Sequence, residues 1–156
     1  MASTDYTGRT VDLLIFQGVE EFGDQQIETG WGNAGELCTG IQKVAQSWTI
    51  LFLTDRGTVL NEPLRGSSFV PTVRSGAIQV DEDVPAEFAI AAAQVSRTMT
   101  ADALDQNLED DETLARAELL DYSVDSIAAR LYLRVRLWSA AGEARTVFLP
   151  IPFSVK

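Results

Sequence analysis

The clearest hydrophobic pattern lies in the last third of the chain, where apolar and polar positions alternate with a period of two. Mostly apolar residues at odd positions from Ile127 to Leu137 alternate with arginines and aromatics. This period is typical of a β-strand with one buried face. A turn at residues 141–143 leads into a second alternating segment, and residues 114–124 can supply a third strand. The pattern predicts an antiparallel meander that ends in a hairpin.

Two prolines mark the last strand of this meander. Pro150 and Pro152 stand two residues apart and therefore share one parity along the strand. Proline has no N–H to donate to a neighbouring strand. Because both missing donors fall on the same side, this segment is expected to be an edge strand of the sheet.

Two further segments have the period of amphipathic helices. In the first, apolar residues from Leu37 to Leu51 recur at spacings of four and three, and Gly57 is expected to close the helix in the left-handed conformation. In the second, Asp83 is expected to cap a helix whose apolar face includes Phe88. The predicted fold is α+β, with two amphipathic helices packed on a small antiparallel sheet that ends in a C-terminal β-hairpin.

The N-terminal part of the chain is less regular. Residues 10–17 are almost continuously apolar and predict a strand. An extended arm is expected to follow, with Phe22, Ile27 and Trp31 packed on this domain or on a partner. The chain therefore divides into an N-terminal strand and arm, residues 1–34, and an α+β domain, residues 35–156.

Two segments of the larger domain are expected to be irregular. The chain after Phe69 is predicted to stay loop-like, with a possible short strand near Val80. The acidic run Asp110, Asp111 and Glu112 is predicted to be a solvated turn, because it lacks the ligand spacing and central glycine of a calcium loop.

Composition narrows the classes of function. The chain has 156 residues and a formal net charge of −11, which argues against nucleic acid and against membrane surfaces as partners. No basic and apolar leader precedes residue 13, so we expect folding in a cytoplasm. Acids dominate residues 102–125, whereas arginines dominate from residue 126 onward. These opposed charges could pair within the fold or steer neighbouring subunits.

The chain contains no histidine and one cysteine, Cys38. Catalysis by Ser-His-Asp or Cys-His groups is therefore excluded, and no cofactor or metal is expected. Cys38 is predicted to be a small core residue rather than a nucleophile. A carboxylate pair such as Glu62 with Asp55 is the one catalytic arrangement that the composition allows comfortably, as in glycan hydrolysis.

Residues 39–69 carry a resemblance to a known family. A helix reading TGIQKVAQSW leads into LFLTDRG, then a proline, a Gly-Ser pair and an aromatic at Phe69. This arrangement resembles the baseplate wedge proteins of contractile phage tails, also called sheath initiators, which type VI secretion baseplates share. From about Gly35 to the C-terminus, the order of elements is similar. The family often has a Glu-Pro-Arg tripeptide after the second helix, where this chain has only Arg116.

The resemblance implies a structural protein, not an enzyme, in the tail baseplate of a virion that assembles in the host cytoplasm. Its implied partners are the tail sheath protein, other baseplate wedge proteins and tail tube or hub proteins. Its hairpin would accept strands from the first ring of sheath subunits. The alternatives are a carboxylate-dependent peptidoglycan hydrolase and a tail-completion or connector protein. The candidate partner interface comprises Arg116, Leu131, Leu133, Val135, Leu137, Val147, Leu149, Ile151 and Phe153.

Arg116 has two interpretations. The resemblance implies that it anchors contacts within the baseplate wedge. Alternatively, it is a surface residue of a strand, paired with Glu118 or Glu112.

Overall fold

The fold is α+β, as predicted, and ends in a C-terminal three-stranded antiparallel sheet. It was obtained as a computed structural model that describes residues 9–18, 27–29, 37–78 and 82–153. In chain order its elements are β1 (Asp12–Leu13), β2 (Phe16–Gly18), β3 (Ile27–Thr29), β4 (Leu37–Cys38), α1 (Gly40–Leu53), α2 (Phe69–Ser75), α3 (Asp83–Gln106), a 3₁₀ turn (Asp110–Glu112), β5 (Leu114–Asp125), β6 (Arg130–Ser139) and β7 (Ala144–Pro152).

The C-terminal sheet has the order β5-β6-β7, so β6 is central and β7 lies at an edge, as its two prolines predict. The apolar residues at odd positions of β6 are at most 2% exposed. They point toward the helices, because α1 contacts β6 and β7 while α3 contacts β5. The period-two pattern therefore marks a strand with one face in the core.

Aromatic side chains fill the space among the helices. The rings of Trp48 and Phe52 stack with centroids 4.6 Å apart, and Phe52 also lies 5.0 Å from Phe69 and 5.6 Å from Phe88. All four side chains are at most 4% exposed. Large aromatic surfaces contribute most to burial in a small core, so this cluster joins α1, α2 and α3 into one unit.

The boundaries of the first helix differ from the prediction. Leu37 and Cys38 form β4, which pairs with β1, and the helix begins only at Gly40, whose φ is +60°. The helix ends at Leu53, followed by an extended Thr54, so Gly57 does not close it and instead lies in the turn beyond.

Two other expectations about helices are wrong. Asp83 is the first residue of α3 rather than its cap, and the residue before it makes no capping hydrogen bond through its side chain. The segment after Phe69 forms the seven-residue helix α2 instead of a loop. Pro71 does not prevent this helix, because a proline in the first turn removes no intrahelical hydrogen bond.

The predicted N-terminal strand is two short strands with different partners. β1 pairs with β4, whereas β2 pairs with β3. Between them, the N–H of Ile15 donates to Oε1 of Gln46, and Nε2 of Gln46 donates to the carbonyl of Leu13. The buried side-chain amide of Gln46 thus bonds to the backbone of Leu13 and Ile15, between β1 and β2, where a neighbouring strand would otherwise pair. Of the predicted arm, Ile27 begins β3, while Phe22 and Trp31 lie outside the described residues.

Hydrogen bonds and a close backbone contact hold the loop of residues 54–68 against the end of α1. The N–H of Ser67 donates to the carbonyl of Thr54, and its hydroxyl donates to the carbonyl of Phe52 at 2.6 Å. Gly66, with φ of +96°, lies so close that a Cβ there would stand 2.4 Å from the Thr54 carbonyl oxygen. The loop can close against the helix because residue 66 has no side chain.

We predict that Gly66→Ala destabilises the protein by about 3 kcal/mol or more, because left-handed strain adds to a backbone clash. The matched control is Gly57→Ala, whose φ is +89° but whose Cβ would meet nothing within 4 Å. This variant adds left-handed strain without a clash, so its free energy of unfolding should fall by only about 1 kcal/mol. Urea unfolding of both variants measures the difference, and equal losses would show that the close approach of residue 66 is unimportant.

Candidate functional site

The outer edge of β7, with which no described strand pairs, is the feature on which the predicted function depends. The pairing of β7 with β6 is continuous, and it brings Pro150 opposite Tyr132 and Pro152 opposite Arg130. Just beyond the strand, the N–H of Phe153 donates to the carbonyl of Ala129. Odd residues of β7 therefore bond to β6, and even residues direct their backbone groups outward.

This alternation divides the outer edge of β7 into two halves. Ala144, Thr146 and Phe148 each present an outward N–H and an outward carbonyl, because they share the parity of the prolines. Pro150 and Pro152 present carbonyls alone. A complete set of donors and acceptors is thus confined to residues 144–148.

The other edge of the sheet is interrupted. β5 has two irregularities in its pairing with β6, between Leu114 and Arg116 and between Leu119 and Asp121. Such bulges bend a strand and are a common way of blocking the addition of further strands. Near β7, the strand β3 comes within 8 Å between Cα atoms, but it pairs with β2 in a separate sheet.

The apolar residues of the candidate interface are engaged in the core. The side chains of Leu131, Leu133, Val135, Leu137, Leu149 and Ile151 are at most 2% exposed, and Val147 and Phe153 pack against the same core. A partner can therefore reach these strands only through their backbone edges and their outer face.

The outer face of the sheet places opposed charges of the chain opposite one another. Arginines of β6 stand directly across from acids of β5, an arrangement that stabilises neighbouring strands. The register thus places these opposed charges opposite one another on neighbouring strands of the same sheet. The three pairs are Glu118–Arg136, Asp121–Arg134 and Asp125–Arg130.

Arg116 has an aromatic partner instead of an acid. Its guanidinium lies 3.9 Å from the centre of the Trp138 ring, across from it on the next strand. The planar cation covers the ring through a cation–π contact. On the same face, Tyr132 and Phe148 stack with centroids 5.4 Å apart. Sequence reasoning missed both contacts, although the strand register predicts the first once β5 and β6 are aligned.

The two carboxylates considered for catalysis each contact an arginine. Glu62 lies 3.1 Å from Arg65, which also reaches Asp102, and Asp55 lies 3.0 Å from Arg74. Each acid already has a cationic neighbour.

Cys38 is buried, as predicted, but in strand β4 rather than in a helix. Burial raises the pKa of its thiol, and the neighbouring Asp12 carboxylate raises it further. A protonated, buried thiol is a poor nucleophile. Within the described part of the chain, no group of three or more acidic or cysteine side chains could hold a metal ion, and no described helix is long and apolar enough to cross a bilayer.

Glu112, expected to be solvated, is instead 4% exposed and central to a polar cluster. Its two carboxylate oxygens accept hydrogen bonds from Thr10 at 2.5 Å and from Thr39 at 2.6 Å. Lys43 donates to the hydroxyl of Thr10. The cluster binds the N-terminal segment to the start of α1 and to the turn that leads into the sheet.

The pKa of Glu112 reflects a balance of opposing effects. Burial raises the pKa, but the hydrogen bonds from Thr10 and Thr39, the charge of Lys43 and the N–H of Gly40 together lower it below the ordinary value. The ionised form is therefore the one that the folded protein stabilises. The Glu112 carboxylate also meets the positive end of α1, whose first turn contains no acid of its own.

Comparisons with family models, with curated proteins and with solved structures gave no match to this chain.

We predict that Glu112→Gln costs about 2 kcal/mol of unfolding free energy at neutral pH, because it removes charge-assisted hydrogen bonds from a buried group. Since the folded-state pKa is lowered, the contribution is complete above the unfolded pKa of about 4.3 and is lost as the pH falls through the folded value. The difference between wild type and variant should therefore shrink with acidification.

Urea unfolding over a pH series measures this dependence. The control is Glu109→Gln, an exposed acid three residues away, which should change stability by less than about 0.5 kcal/mol. A difference between Glu112→Gln and wild type that is independent of pH would contradict the assigned role of the charge.

Proposed function

We propose that the protein is a structural component of a contractile phage tail baseplate, which links the baseplate and tube to the sheath. Its role is to template the first sheath ring by accepting a β-strand at the outer edge of β7. The observation that carries this proposal is the confinement of outward donors to residues 144–148, beside a proline-blocked end. The resemblance of residues 39–69 to sheath initiators supplies the class of partner.

The dimensions of this edge suit strand addition. Residues 144–148 form a five-residue segment, close to the length of an ordinary strand in a protein sheet. A partner strand would gain bonds from the N–H groups of Ala144, Thr146 and Phe148 and to their carbonyls. Beyond Phe148 the missing donors of Pro150 and Pro152 would end the ladder. The prolines would therefore set where the incoming strand stops.

A rigid base supports the edge. β6 holds β7 along its whole length, and the side chains of Leu149 and Ile151 fix β7 to the helical layer. A strand that is already ordered loses little conformational entropy when a partner binds, so an extended segment can add to it without refolding the sheet. This mechanism uses backbone hydrogen bonds alone and requires no catalytic residue.

We predict that Thr146→Pro blocks sheath assembly while leaving the protein folded. Residue 146 has the outward parity of the two natural prolines, so the substitution removes an outward donor and no bond to β6. The matched control is Thr146→Val, which changes the same side chain and keeps the N–H. Electron microscopy of tails assembled with each variant measures the fraction that carries a sheath, with thermal unfolding as the check of folding.

Sheathed tails at the wild-type frequency with Thr146→Pro would contradict strand addition at this edge. Equal loss with Thr146→Val would show that the side chain matters rather than the backbone donor. A deletion of residues 144–156 is less informative, because it also removes Leu149 and Ile151 from the core.

A further inference from the structure

The face of β7 that is turned toward the helices is buried at one end and partly exposed at the other. Leu149 and Ile151 are at most 1% exposed. Val147, on the same face, is only partly buried, although Val135 directly across from it on β6 is fully buried. Because β6 covers one side of Val147, an apolar side chain on a strand added at the other side would complete its burial.

Arg145 lies on the same face, two residues before Val147, and is the only charged residue of β7. It is partly exposed and stands opposite Leu137, whereas arginines of β6 stand opposite acids of β5. Among the residues that the structure describes, Arg145 forms no ion pair. Its charge is therefore available to a carboxylate on a strand added beside β7.

The direction of the added strand determines which side chains of β7 it contacts most closely. All pairs within the C-terminal sheet are antiparallel, and sheets of a single type are favoured. In an antiparallel ladder, the outward backbone groups at residues 144, 146 and 148 form the hydrogen-bonded pairs. Residues opposite Arg145 and Val147 then form the closer, non-hydrogen-bonded pairs, with Cα atoms about 4.5 Å rather than about 5.5 Å apart. Side-chain selectivity is thus concentrated at these two positions.

We propose that the strand accepted at residues 144–148 runs antiparallel to β7, with an apolar residue opposite Val147 and an acidic residue opposite Arg145. In the chain order of the partner, the apolar residue comes first and the acid follows two positions later. This inference rests on the proposed function and adds to it the chemistry of the partner strand. Backbone bonds would supply affinity, and the two side chains would supply specificity.

The same two side chains would fix the register of the added strand. A slip by one residue would move both of them to the other face of the sheet. A slip by two residues in one direction would place the acid opposite Val147, where it would be partly buried without a cation. A slip by two in the other direction would bring it toward Glu143, a like charge. Only one register satisfies both positions.

Fluorescence anisotropy of labelled synthetic peptides, titrated with the full chain, tests the pattern. The reference peptide reads Thr-Thr-Val-Thr-Glu-Thr-Thr. A second peptide has lysine in place of the glutamate, and a third has serine in place of the valine. Wild type should bind the reference peptide about 3- to 10-fold more tightly than the lysine peptide, because an attractive cross-strand pair becomes repulsive. The serine peptide should also bind about 3- to 10-fold more weakly, since less apolar surface is buried.

Two variants of the chain assign the charge preference to one residue. Arg145→Glu should reverse it, so that the lysine peptide binds more tightly than the reference peptide. The matched control is Arg97→Glu, which makes the same change of charge at an exposed position of α3, the helix that contacts β5 at the opposite edge of the sheet. This control should keep the wild-type preference. Circular dichroism confirms that each variant is folded.

Thr146→Pro separates this inference from the proposed function, because it removes an outward donor and changes neither Arg145 nor Val147. If it abolishes binding while wild type binds all three peptides equally, strand addition stands and the side-chain pattern is overturned. A glutamate preference that persists in Arg145→Glu would also overturn the pattern. Binding that survives Thr146→Pro would contradict strand addition at this edge, and no binding of any peptide to wild type at millimolar concentration would contradict both.

Discussion

The buried carboxylate of Glu112 is the interaction on which the arrangement of the layers depends. α1 has no acid in its first turn, and its N-cap residue Thr39 makes no capping bond of its own. Glu112 supplies the missing negative charge from a turn more than seventy residues away. Its carboxylate also accepts a hydrogen bond from the hydroxyl of Thr39. Its second carboxylate oxygen accepts a hydrogen bond from the hydroxyl of Thr10. One side chain thus positions the N-terminal segment, the main helix and the entry to β5 relative to one another.

From that junction the sheet continues as a rigid unit with two different faces and two different edges. The inner face of β6 is buried against the helices, while its outer face carries arginines that stand opposite acids of β5. Bulges interrupt the β5 edge and prolines block half of the β7 edge. Natural sheets use such features to prevent unwanted pairing. The regular segment at residues 144–148 is therefore a complete set of outward donors and acceptors that no described strand uses.

Local patterns predicted the sheet well, because alternation in β6 and the parity of Pro150 and Pro152 depend only on neighbouring residues. The burial of Gln46 and Glu112 could not be predicted in this way. Each is stabilised by groups distant in sequence, such as Leu13 for Gln46 and Thr10 for Glu112. α2 was missed because seven residues with a proline are too few to show a helical period. The candidate interface residues of β6 were selected for their alternating apolar side chains. In the structure, this alternation marks the side chains that face the core.

A reconstruction of the assembled tail by electron microscopy tests the central claim most directly. Strand addition at β7 predicts density for an extended segment of a sheath subunit beside residues 144–148, with main-chain bonds at Ala144, Thr146 and Phe148. It also predicts no paired strand beside Pro150 and Pro152. A tail in which this edge faces solvent, or in which the sheath strand pairs along β5, would contradict the claim.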